Sequence, residues 1–200
     1  MTKRSLLFKV LDGTILALIC YKVLQILFRI YAIVTITRVT QGSESTSKQI
    51  PFIMEVLKVE HITDYIIIIL FLILLSTWFY IKYRNAHLLS HLQLTYKPIW
   101  ALFSFIIPIF NLVAPYKIMN DLWIVQNKDM SIEQNGKNII KTWWILSIII
   151  FIASRYLNIQ ASHTVGIEGF LKFEYYFLFF YAVSLHYFLV TRKLVKMIGE

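Results

Sequence analysis

Between Asp64 and Lys82 the chain runs through seventeen consecutive residues, Tyr65 to Ile81, without a single charge. No other feature constrains its folding as strongly. A helix needs roughly 20 apolar residues to cross the hydrocarbon core of a bilayer, and only a helix or a closed barrel satisfies every backbone polar group in lipid. Further apolar stretches stand on either side: Val10 to Ile36, the stretch that begins at Pro98, Thr142 to Ser154, and Tyr175 to Thr191. Hydrophobic residues make up 58% of the chain and the mean hydropathy is +0.65, values of a membrane protein rather than of a soluble domain. The expected fold is all-α, a polytopic transmembrane helical bundle forming one integral-membrane domain over 1–200, with four to five membrane helices. Helical segments are expected at about 10–36, 62–83, 98–113 (broken), 115–127 (amphipathic), 139–157 and 173–191.

The stretch from Pro98 is interrupted by Pro108, Asn111 and Pro115. Pro108 removes a backbone donor and clashes with the carbonyl one turn back, so a helix entering at Pro98 should bend or stop near Ile107. Asn111 has a carbonyl and an amide with which to satisfy freed backbone groups or bridge to another helix. Pro115 suits the first turn of a new helix. That helix should carry Ile118, Met119, Leu122 and Trp123 on one side and Lys117, Asn120 and Asp121 on others, an amphipathic interfacial pattern. Broken helices at membrane depth are tolerated where they are buried in protein or line a cavity, and such breaks can build binding sites. The segment is either re-entrant or a kinked spanning helix whose prolines only shape packing.

Trp100, Pro108, Asn111, Leu112, Pro115 and Tyr116 form a W-x7-P-x2-N-L-x2-P-Y pattern, followed by Met119, Leu122 and Trp123. This pattern resembles the core motif of an uncharacterised bacterial multi-pass membrane family, a domain of unknown function. The resemblance continues at Trp78 with Asn85-Ala86 and at Trp143-Trp144, covering about residues 66–152. It departs in two places. Ile81 stands where an Arg is common in that family, with Lys82 and Arg84 beside it, and Phe103-Ser104 stands where a Gly-rich step is common. The resemblance implies an architecture and no activity; from the break itself, Pro108, Asn111, Pro115 and Tyr116 are candidates for a ligand-binding or packing motif.

Lys22, Gln25 and Arg29 lie within the first apolar segment. A seven-residue spacing puts Lys22 and Arg29 on one helical face with Gln25 near. Charge at the centre of a bilayer costs about 2.5–3.5 kcal/mol per residue on insertion scales, so this face should meet protein or water. It is a candidate polar face for anions; the other reading is snorkelling or a polar contact between helices. Thr63 or Asp64 is the expected N-cap of the next helix, an ion ligand being the other reading of Asp64. His87 and His91, four apart, are weak candidates for a metal, because no third ligand is close in sequence. No metal or other cofactor is expected. Trp78, Trp100, Trp123, Trp143 and Trp144 are expected as interfacial anchors. His186 lies inside the last span, where hydrogen bonding to a neighbouring helix is weighed against a proton relay.

Lys141 and Arg155 bracket an apolar run of thirteen residues, short for a span unless both charges reach back to the interface. Gln126 to Lys141 and Asn158 to Lys172 read as polar loops, the second holding His163. The formal net charge of +9 is no nucleic-acid signature, since the basic residues are spread along the chain and gather at the ends of apolar runs. Cys20 stands alone, so no disulfide forms within the chain. Ile19 before it is too large for a lipoprotein site, and no small-residue cleavage site follows the basic N-terminus, so the first apolar segment should be retained.

Charge also bears on topology. If Pro98 to Pro115 is re-entrant, thirteen Lys and Arg fall inside and five outside, leaving out Lys22 and Arg29. Four crossings with both termini in the cytoplasm, in a bacterial inner membrane, follow as the expectation. No phosphate loop, nucleophile constellation or dense carboxylate pair is present. The expected function is therefore binding, as a scaffold, accessory or sensor subunit, with membrane lipids and either a second copy or another membrane or cytoplasmic protein as partners and no nucleic acid. The alternative is a small channel, transporter or membrane-permeabilising effector; a membrane enzyme ranks last.

Overall fold

The computed structural model describes residues 6–42, 47–90, 93–126, 130–161 and 166–199. These residues build an all-α bundle: α1 (Leu6–Thr40), α2 (Ile50–Leu89), α3 (Pro98–Phe103), α4 (Pro108–Asn111), α5 (Ala114–Gln126), α6 (Met130–Ala161) and α7 (Gly166–Gly199). Among them, α1, α2, α6 from Gly136, and α7 are long and apolar enough to cross a membrane. The chain is a multi-pass membrane protein, with four such helices among the described residues.

The helices are longer than hydropathy alone suggests. α2 starts with Pro51 in its first turn, well before the expected 62–83, and ends where Ser90 turns extended while its N–H still reaches Ala86 O. Thr63 and Asp64 are thus interior to a continuous helix and cap nothing. Thr63 Oγ1 donates back to Val59 O at 2.9 Å instead. α6 begins at Met130 and α7 at Gly166, so most of the two expected polar loops is helical, and His163 lies outside the described residues. Hydropathy marks the part of a helix that sits in lipid, and polar residues at the interface continue the same backbone ladder beyond it. Gly166 has φ +73, a left-handed backbone that a residue without Cβ adopts freely.

Side-chain pairings set the directions. Arg192 meets Asp12 at 2.7 Å and Arg29 meets Glu174 at 2.5 Å, so α1 and α7 are antiparallel. Trp143 Nε1 donates to Thr191 Oγ1 at 3.1 Å while the Tyr156 and Tyr176 rings lie 5.7 Å apart, which makes α6 antiparallel to α7 as well. Lys82 Nζ donates to Ile198 O at 2.9 Å, and Phe71 packs edge-on to Phe188, so α2 and α7 run the same way. Leu6, Leu89 and Gly199 therefore share one end of the bundle, called here the terminal end.

The broken segment lies at the terminal end and does not cross. Lys97 is extended, as a residue before proline must be, and α3 starts at Pro98. α3 stops at Phe103, a turn sooner than expected, and α4 restarts at Pro108. Phe110 returns to within 5.1 Å of both Tyr96 and Trp100, so the segment leaves beside its point of entry. Between them Phe105 packs edge-on to Phe79, at 5.0 Å. Phe79 is four residues before Tyr83, about 6 Å further into the bundle. Tyr83 clasps both ends of the loop: its hydroxyl donates to Asp121 Oδ2 at 2.6 Å and accepts from the Tyr96 N–H at 3.0 Å. Asp121 also takes the Thr95 N–H and hydroxyl.

This layer corrects the expectation for the tryptophans. Trp78, Trp123 and Trp143 are buried core residues: Phe105 of the broken segment packs edge-on to Trp143, and Trp123 of α5 lies against Gly136 of α6. Trp100 is 41% exposed, and Trp144 is half-buried with its Nε1 on Leu112 O at 3.0 Å.

Candidate functional site

The polar face of α1 meets two other helices. Lys22, Gln25 and Arg29 are all buried, and Arg29 is 0% exposed. α2 brings Glu60 and Asp64 to them, four residues apart on one face, and α7 brings Glu174 and Tyr181, seven apart on one face. The seven-residue step from Lys22 to Arg29 is matched by the antiparallel step from Tyr181 to Glu174. Each cation thus meets a side chain of α7, the Tyr181 ring or the Glu174 carboxylate, and a carboxylate of α2.

Lys22 Nζ donates to Gln25 Oε1 at 2.6 Å and to Asp64 Oδ1 at 3.1 Å, and lies 4.5 Å from the centre of the Tyr181 ring. Gln25 Nε2 donates to Glu60 Oε1 at 2.8 Å and to Asp64 Oδ1 at 3.1 Å. Arg29 Nη1 donates to Glu174 Oε2 at 2.5 Å, and Nη2 to Glu60 Oε2 at 3.1 Å. Its guanidinium carbon stands 4.5 Å from the centre of the Phe177 ring. Tyr181 links the two halves: its hydroxyl accepts from Arg29 Nη2 at 3.5 Å and donates to Asp64 Oδ2 at 3.1 Å. Two cations, three carboxylates, an amide and a phenol form one network across α1, α2 and α7.

In lipid such a network stands only if its charges pair and its lone pairs are filled. Glu60 and Asp64 meet this at both oxygens. Arg29 Nε is the exception, a buried donor with no acceptor among the described residues. Beside the network an apolar groove of about 580 Å³, lined by Leu18, Tyr21, Ile67, Phe71 and Thr77 among others, separates α1 from α2.

The proline pattern is a second grouping, separate from the first. Pro115 is buried in the first turn of α5, and Tyr116 packs against the Trp144 ring at 5.3 Å. Asn111 closes α4, its N–H on Ile107 O at 2.7 Å. Pro108 opens α4. The loop is stitched to α6 through Trp144, and the described contacts at Pro115 and Tyr116 are packing contacts. His87 Nδ1 lies 2.9 Å from Tyr83 O in its own helix, and His91 lies outside the described residues. Among the described residues no three His, Cys, Asp or Glu side chains are placed to hold a metal ion.

Sequence reasoning singled out Lys22, Gln25 and Arg29 but not Glu60, Glu174 or Tyr181. It weighed Asp64 only as a cap or an ion ligand. A signal was present: Glu60 and Asp64 share a face at the edge of the longest apolar run, and Glu174 and Tyr181 repeat the spacing of the α1 cations. A family model described as Domain of unknown function (DUF4328) matches residues 54–200, further in both directions than the motif resemblance reaches. No curated protein and no solved structure matches the chain.

Proposed function

The chain belongs to that family of unknown function, and we propose that it works by binding, as a scaffold, accessory or sensor subunit of a bacterial cytoplasmic membrane rather than as an enzyme. The observation that carries this reading is the closed ionic network. The face that could have conducted anions is filled by carboxylates of the same chain, at Glu60, Asp64 and Glu174. The groove beside it is lined mainly by apolar side chains. A bundle whose polar interior holds its own counter-ions is suited to keeping a defined shape that a partner reads.

Orientation follows from charge. With the start of α1 and the end of α7 together, ten of the described Lys and Arg residues outside the network lie at the terminal end and five at the other, which assigns the terminal end to the cytoplasm. Single cysteines on a Cys20→Ser background check this: Gln93 labels only from the cytoplasmic side and Gln41 only from outside. The reverse pattern overturns the orientation.

A second reading, a small channel or transporter or a membrane-permeabilising effector, is favoured by one feature: three carboxylates face two cations, an imbalance that a transported cation or proton would correct. Flux from liposomes separates the two readings. Purified wild-type protein is expected to pass neither chloride nor potassium above the level of empty vesicles. A flux that disappears in the Lys22→Gln, Arg29→Gln double variant would sink the binding reading in favour of transport.

A further inference from the structure

We propose that the outward face of α7 is a seam between two copies of this chain, centred on His186. The inference rests on the binding reading and names the partner. From Lys172 to Lys193 the exposed residues of α7 are Lys172, Tyr175, Phe179, Ala182, His186, Leu189 and Lys193, an alternation of three and four residues kept over about six turns of the helix. That 3.5-residue spacing is the pattern of helices that pair with a left-handed crossing. Tyr175 and Phe179 are 56% and 66% exposed, and α1 and the rest of the bundle occupy the opposite face.

His186 makes this stripe more than a lipid-facing surface. It stands six residues before Arg192 and fourteen after Lys172, about 9 Å and 21 Å along the helix, too far for an imidazole to reach either interface. Its ring has no hydrogen-bond partner among the described residues, although a polar group in lipid needs one. Neutral imidazole carries one donor and one acceptor, so it is complementary to a second neutral imidazole. Two copies in one membrane share an orientation, and a two-fold axis along the membrane normal sets each stripe residue beside its own counterpart. His186 then pairs N–H to N with His186 of the second copy, and Ala182, one turn away, leaves room for close approach.

The test is oxidative cross-linking in native membranes on a Cys20→Ser background, with single cysteines at Ala182, Leu189 and, as a control, Ile69. Ile69 is 56% exposed and lies at the depth of His186, because Phe71 pairs with Phe188. Cross-linked dimers are expected at Ala182 and Leu189 and not at Ile69. His186→Phe should lower their yield by about fivefold or more, and His186→Asn, which keeps a donor and an acceptor, should restore most of it. His186 faces outward, so an unchanged melting temperature shows that both variants fold. The seam is overturned by no dimer at Ala182 and Leu189, by equal yields at Ile69, or by yields indifferent to His186→Phe. In any of these cases, a different membrane protein recovered in stoichiometric amount would leave the binding reading standing and remove only the second copy.

Discussion

Arg29→Met is expected to destabilise the bundle by about 3–5 kcal/mol, the usual cost of removing one partner from a buried ion pair. Arg29 serves two carboxylates from different helices, Glu174 at 2.5 Å and Glu60 at 3.1 Å, and its loss leaves both at membrane depth without their cation. Gln25 still serves Glu60 Oε1, so the larger part of the penalty falls on Glu174. Thermal melting in mild detergent measures the loss. A triple variant that adds Glu60→Gln and Glu174→Gln should regain most of it, because removing all the charges costs less than removing one side. Arg29→Lys should fall between, since an ammonium is a point charge and cannot fork to two acceptors with Arg geometry. If Arg29→Met melts with the wild type, the network does not hold the helices together.

Gly136→Ala should cost about 1–3 kcal/mol, the range for forcing extra atoms into a packed site. Gly136 lies in α6 where the indole of Trp123 from α5 rests on its backbone, and a Cβ there would overlap ring atoms Cε2 and Cζ2. Trp123 is 3% exposed, so the ring has little room to withdraw. The contact fixes the entry of α6 against the layer that carries the broken segment. In a Trp123→Leu background the same substitution should cost clearly less, because the ring it strikes is gone. Equal costs in the two backgrounds would show that the clash is relieved elsewhere.

The two effects differ in how far the sequence reveals them. That residues 22, 25 and 29 need company in a bilayer is legible from one helix, since charge and spacing are local properties. Which residues supply it is not: Arg29 is 31 residues from Glu60 and 145 from Glu174. The close fit of Gly136 on Trp123 has no local signature at all, since the two are thirteen residues apart and in different helices. The tryptophans show the limit from the other side. Composition placed Trp78, Trp123 and Trp143 at an interface by the general preference of indole, but that preference does not say whether lipid or protein covers the ring.

Four properties of this protein follow from its sequence alone: the membrane class, the helical backbone, the apolar spans and the interruption at Pro98 to Pro115. Each has a local cause, since lipid offers the backbone no partner outside a helix and proline offers none inside one. Tertiary structure alone decided that the broken segment returns beside Tyr96, that Tyr83 and Asp121 clasp it, and that α2 and α7 bring carboxylates to the α1 cations. Those outcomes depend on which helices are neighbours and in what register. Register is set jointly by packing and by the requirement that every buried charge find its opposite, and no single segment contains that information.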